Sequence, residues 1–184
     1  MEITDEQIIP ASQAEVWRSL NDTEVLKDCI FGCESIEKIN DTEYAIVAGV
    51  AIGPVKAKFR GTLRLADLDP PNSYSMSFDT QGGTAGFGKG SAKVSLTPEG
   101  KGTRLSYTVN AQVGGKLAQL GARLIDGVAK KMANDFFTTF NRKVAGTTPT
   151  TTEPAVKSAP SAARWWWLVA LIVAGLLVAY LKKS

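Results

Sequence analysis

Across residues 55–65 the chain alternates. Val55, Ala57, Phe59, Gly61, Leu63 and Leu65 fall on one parity, and Lys56, Lys58, Arg60, Thr62 and Arg64 on the other. Successive side chains of a strand point to opposite faces, so this pattern predicts an antiparallel strand with one dry and one wet face. The same parity recurs at Tyr74, Met76 and Phe78, at Ala92, Val94 and Leu96, and at Leu105, Tyr107, Val109, Ala111 and Val113. Asn40-Asp41-Thr42, Pro70-Pro71-Asn72, Gly82-Gly83 and Pro98-Glu99-Gly100 interrupt these runs with turn-forming residues. Upstream, residues 1–9 read as a strand. Ser12 with Glu15 three positions on is a capping box, which opens a short helix over residues 13–20, and residues 22–28 read as a second short helix.

After Gly114-Gly115 the period changes. Leu117, Leu120, Leu124, Val128, Met132, Phe136 and Phe140 recur at three or four, which predicts one apolar stripe on a helix of roughly thirty residues. A strand, two short helices, about six further strands and one long helix make an α+β chain. A curved antiparallel sheet wrapped round the C-terminal helix is the economical way to bury both apolar surfaces.

Residues 1–145 form one predicted domain, large enough for a real core. Residues 146–163 (GTTPTTTEPAVKSAPSAA) are too poor in aliphatic residues to order themselves and read as a tether. Residues 164–184 contain WWWLVALIVAGLLVAYL, an uncharged run bounded by Arg164 and by Lys182 and Lys183. At about 1.5 Å per residue the run spans roughly 26 Å, and snorkelling basic flanks bring it to the ~30 Å of a hydrocarbon core. Trp165, Trp166, Trp167 and Tyr180 suit the two headgroup boundaries. The expectation is one transmembrane helix, a C-terminal anchor. The acidic start MEITDEQII lacks the basic and apolar regions of a signal peptide, so the domain is expected on the cytoplasmic face of the inner membrane.

Charge changes the picture little. The net charge of +3 is the sum of an acidic segment, residues 1–43, and a basic one, residues 44–146. Such a near-neutral, two-faced domain suits an acidic partner or anionic lipid better than nucleic acid. Lys56, Lys58, Arg60 and Arg64 form the candidate contact row, although a solvated face explains them as well. There are no histidines, which removes the commonest general base and metal ligand. Cys29 and Cys33 alone complete no structural zinc site, and no metal site is expected. The sequence from Gly83 to Gly90 nearly matches a P-loop, but Gly90 stands in place of the hydroxyl and a strand follows in place of a helix. It reads as a glycine-bent hairpin.

The candidate ligand-binding residues are therefore the inward apolar ones: Phe59, Tyr74, Met76, Phe78, Tyr107 and Ala111 from strands, and Leu120, Leu124, Val128 and Met132 from the helix. Large aromatics interleaved with small residues could leave an apolar cavity fit for a lipid-like or quinone-like molecule, or could fill it as a packed core.

Several motifs together resemble one family. Ala14-Glu15-Val16-Trp17 with Leu20-Asn21-Asp22 comes first. Cys29-Ile30-Phe31-Gly32-Cys33-Glu34 is close to the family's CLPGCE, with Ile30-Phe31 in place of Leu-Pro. Gly53-Pro54-Val55, Phe59-Arg60-Gly61 and Gly114-Gly115-Lys116-Leu117-Ala118-Gln119-Leu120-Gly121 follow, and Phe136-Phe137 also fits. Over residues 1–143 the chain resembles the carbon monoxide dehydrogenase G-subunit (CoxG) family, within the helix-grip, START and polyketide-cyclase superfamily. The resemblance implies an accessory protein and not an enzyme, with no catalytic residues and no covalently bound cofactor. It implies a molybdenum hydroxylase of the carbon monoxide dehydrogenase type as partner, recruited to membrane lipid. A respiratory quinone, menaquinone-like, is the implied ligand. A ligand-free recruitment scaffold and a superfamily enzyme are the alternative readings; for the latter, Asp79 and Asp126 are the nearest acidic candidates.

Overall fold

The computed structural model describes residues 1–147. The predicted tether and the uncharged run fall outside these residues, except for Gly146 and Thr147. Among the described residues no helix is long and apolar enough to cross a membrane. Seven strands form one antiparallel sheet in the order β1-β7-β6-β5-β4-β3-β2: β1 (Glu2–Ile9), β2 (Cys33–Asn40), β3 (Glu43–Ile52), β4 (Val55–Asp69), β5 (Ser73–Gln81), β6 (Phe87–Glu99) and β7 (Gly102–Gly114). Helices α1 (Gln13–Leu20) and α2 (Thr23–Cys29) lie between the two edge strands in sequence, and α3 (Ala122–Thr147) ends the described chain. This is the antiparallel sheet and long C-terminal helix expected of a helix-grip fold.

Local chemistry sets the element ends. Ser12 accepts a hydrogen bond from the Glu15 amide, and Asp22 accepts from the amides of Glu24 and Val25, so both short helices start on a side-chain cap. The β4–β5 register shifts between Ala66 and Asp69, where Asp67 takes a positive φ of 51°. Such a bulge bends the sheet and increases its twist.

The long helix differs from expectation at its start. It begins at Ala122, not at Leu117. Gly121, at φ 90°, breaks the backbone, and Ala118–Leu120 form only a 3₁₀ turn. A left-handed φ is cheap only for glycine, so the break is written into that residue. Leaving Leu117 and Leu120 off the helix shifts its face: Ile125, Phe137, Phe140 and Val144 are buried, whereas Leu124 is 44% exposed.

Buried apolar residues form two clusters. The larger joins α1, β6, β7 and the C-terminal half of α3 through Ile9, Val16, Leu96, Leu105, Phe140 and Val144. The smaller comprises Ile52, Phe59, Ala85 and Leu117, with Leu120 and Val128 partly buried against it.

The two-faced charge resolves into pairs. Glu6 meets Arg104, Asp28 meets Lys143, Glu34 meets Lys58 at 2.6 Å and Glu43 meets Arg64 at 2.9 Å. Four acids of the first 43 residues thus pair with bases of the later chain across strand and helix neighbours.

Candidate functional site

Between the concave face of the sheet and α3 lies a cavity of about 480 Å³. Alternate positions of the strands supply its wall, as period two requires: Tyr44 and Ile46 on β3, Leu63 and Leu65 on β4, Met76 and Phe78 on β5, Tyr107 and Val109 on β7. The roof is Met132, Ala133, Phe136 and Phe137 of α3. Leu26, Ile30 and Phe31 of α2 and the turn after it close one side. No Asp, Glu, Lys or Arg lines it; the polar groups are the phenols of Tyr44, Tyr74 and Tyr107 and the Thr80 hydroxyl. Phe31 lines the cavity and is 40% exposed, so the space reaches the surface beside that ring.

One glycine makes room for this wall. A Cβ on Gly90 would stand 2.7 Å from the Phe78 ring and 2.2 Å from the Asn110 carbonyl oxygen. Only a residue without a side chain lets β6 pass beneath the Phe78 ring at this point.

Aromatic contacts brace the end nearest α1. Trp17 meets Tyr74 edge-on at 5.6 Å, and Tyr107 stacks on Phe137 at 5.2 Å. Burial, with a smaller contribution from Tyr44, pushes the Tyr74 phenol well above its ordinary value, so it stays a hydrogen-bond donor at all physiological pH. Burial, then Asp5, raises Tyr107 in the same direction. Burial also raises the thiols of Cys29 and Cys33, which leaves them protonated and poor nucleophiles. Among the described residues no cluster of three or more His, Cys, Asp or Glu could hold a metal ion.

Of the ten candidate ligand-binding residues, Tyr74, Met76, Phe78, Tyr107 and Met132 line the cavity. Phe59, Leu120 and Val128 do not: they belong to the separate smaller cluster. Leu124 points away from the core because the helix phase is shifted. Ala111 is buried but flanks the groove on the opposite face of the sheet. Among the lining residues missed were Tyr44, Leu63, Leu65 and Phe137, and also Ile30 and Phe31. Those two stood out as the departure from Leu-Pro, but nothing in their spacing placed them on a cavity rim.

The basic row is exposed on the outer face of β4 as expected. Lys58 and Arg64 are paired with Glu34 and Glu43, whereas Lys56 and Arg60 make no ion pair among the described residues. Asp79 lines the outer groove and Asp126 sits on α3, and neither lines the cavity. The arrangement can hold an apolar molecule and donate hydrogen bonds to it; it offers no acid–base pair of carboxylates.

Comparison with known proteins agrees with this geometry. The model of the carbon monoxide dehydrogenase G-subunit (CoxG) family matches residues 6–145. A conserved protein of Geobacillus kaustophilus, known from a crystal structure, is 33% identical with a TM-score of 0.75, covering 79% of this chain and 96% of that one. A Thermus thermophilus protein is 23% identical, with a TM-score of 0.59 over 80% of this chain and 100% of that one. A Mycobacterium smegmatis protein is 15% identical, with a TM-score of 0.60 over 80% and 92%. The last two share the fold alone. A comparison with curated proteins finds no match.

Proposed function

The chain belongs to the carbon monoxide dehydrogenase G-subunit (CoxG) family, and from that membership we propose that it is an accessory protein that carries a respiratory quinone to a molybdenum hydroxylase of the carbon monoxide dehydrogenase type. The observation that carries this reading is the cavity. Its volume of about 480 Å³ falls within the 300–1,000 Å³ of ligand pockets, and its lining is apolar with a few donors, as such pockets are. Each CH₂ transferred from water is worth about 0.8 kcal/mol, so a prenylated quinone leaves the bilayer only for a site that replaces its apolar surroundings.

In this reading residues 165–181 anchor the protein at the cytoplasmic face of the inner membrane, and the chain that follows α3, from residue 148 to 163, is the leash that keeps the carrier near its reservoir. The leash raises the local concentration of the carrier at the bilayer without any new contact. Reduction of the carried quinone to quinol would take two electrons from the partner enzyme and two protons from solvent. The exposed row of Lys56, Lys58, Arg60 and Arg64 supports docking to an acidic surface of that partner. In this reading the chain carries the quinone and the partner does the chemistry.

The experiment is lipid extraction and mass spectrometry of the full chain purified from its native membrane. Near-stoichiometric prenylated quinone is expected. Its absence would leave a recruitment scaffold as the function.

A further inference from the structure

Two of the three phenols on the cavity wall, those of Tyr44 and Tyr74, give it a direction. Tyr44 is 4% and Tyr74 8% exposed, and both line the cavity. Neither hydroxyl has a hydrogen-bond partner among the described residues. The Asn141 Oδ1 is the one side-chain polar atom there that is sealed from solvent and unpartnered. The Tyr44 and Tyr74 hydroxyls, unpartnered yet not sealed, therefore reach accessible space, and the space beside these buried residues is the cavity. A buried hydroxyl without a partner is costly, so it selects a ligand that offers an acceptor in that place.

Position separates the two ends. Tyr74 belongs to the larger packed cluster and is held edge-on by Trp17. Phe31 stands at the exposed rim, and Met76 and Phe78 line the wall farther along β5. In register, Tyr44 lies beside Leu63 and through it Phe78, midway along the wall, whereas Tyr74 shares its row with Val94 and Tyr107 at the end away from Phe31, whose neighbour Gly32 accepts from the Gly49 amide.

We propose that Tyr74 at the inner end and Tyr44 midway along the wall donate hydrogen bonds to the carbonyl-bearing head of the ligand, which enters head first and leaves its prenyl tail toward Phe31. The inference rests on the quinone reading above and names the seat within it. A ligand of the same shape without carbonyl oxygens gains nothing from the two phenols.

The test uses the full chain and a matched pair of head-sized probes: menadione, which has the two carbonyls, and 2-methylnaphthalene, which has none. Calorimetric titration of wild type, Tyr74→Phe and Tyr44→Phe/Tyr74→Phe is combined with the infrared carbonyl band of bound menadione. Phenylalanine keeps the ring against Trp17, so the fold is retained. Loss of one neutral hydrogen bond predicts menadione affinity lower by about two- to tenfold per hydroxyl removed, and so a larger loss in the double variant, with 2-methylnaphthalene unchanged. The carbonyl band of bound menadione should lie below its free position in wild type and return toward it in the double variant. Equal menadione affinity in all three proteins with an unshifted band overturns the head-first seat. So does failure of menadione to bind while prenylated quinone still copurifies; both results leave the carrier reading standing. Absence of menadione binding and of copurified quinone ends both.

Discussion

The two halves of α3 lie against the same sheet with opposite results. Toward the C-terminal end, beyond the Phe136 and Phe137 rings that roof the cavity, Phe140 and Val144 are buried in one cluster with Ile9, Val16 and Leu96, none of which lines the cavity. In the N-terminal half, Met132 is half-buried over open space and Leu124 faces solvent. Both halves are apolar in sequence. Hydrophobic residues are necessary for either a core or a pocket, and only the distance between the surfaces distinguishes the two. Solid packing at one end lets the other end remain open, because the cost of leaving apolar side chains under-packed is carried by a cluster that is already stable.

The largest effect should come from cutting the packed half. Phe140→Ala is expected to cost about 3–5 kcal/mol, the usual range for a fully enclosed aromatic. Met132→Ala, losing contacts on one side only, should cost about 1 kcal/mol or less. Urea unfolding of the two variants measures both; equal losses would erase the contrast between the halves.

Filling the open half is the converse. Ala133→Trp puts an indole into the cavity from α3 and should abolish quinone-dependent turnover by the partner, with stability changed by about 1 kcal/mol or less because the space is there to take it. Undiminished turnover would mean that the cavity is not the route. Ala111, buried but outside the cavity, is not a substitute for this experiment.

A third experiment leaves both halves intact. Reversing Lys56, Lys58, Arg60 and Arg64 to Glu should weaken partner capture in a pull-down, more at low salt than at high, while quinone content stays the same. Retention equal to wild type would take the outer face of β4 out of the docking surface.

The smallest effect concerns the bracket between α2 and the packed half. The Lys143 ammonium holds the Asp28 carboxyl below its ordinary range, and Asp28 in turn raises Lys143. A depressed carboxyl contributes stability that is present above its unfolded pKa and is lost as pH falls through its folded one, here below about pH 4. A raised ammonium contributes stability that is lost only as pH climbs past its ordinary value toward the raised one. The protection factors of the α2 amides, exchange rates divided into the intrinsic rate at each pH, should therefore be flat through neutral pH and fall at the acid limb, and Asp28→Asn should remove that fall. The exposed pair is screened by solvent, so the change is small.

Strand alternation was legible because its signal is local: residues 55–65 cannot bury both parities on one face, and β4 follows that division. The short helices were legible from Ser12 and Asp22, whose caps act within three residues. The phase of α3 was not, because Leu117 and Leu120 continue the helical spacing and only the left-handed φ of Gly121 breaks it. Phe59 was misplaced for a related reason: its parity puts it on the concave face, but the position along the strand puts it in the smaller cluster, away from the cavity.

What the sequence determined by itself was the inventory: which face of each strand is apolar, where the chain turns, that the chain contains no histidine, and that several motifs match one family. Those properties depend on residue type and short-range spacing. The tertiary structure decided what is empty. Whether Met76 and Phe78 meet the helix or stop short of it depends on the bend of seven strands and the angle of α3, and both are set by contacts between residues far apart in the chain, such as Ile9 with Phe140 and Trp17 with Tyr74.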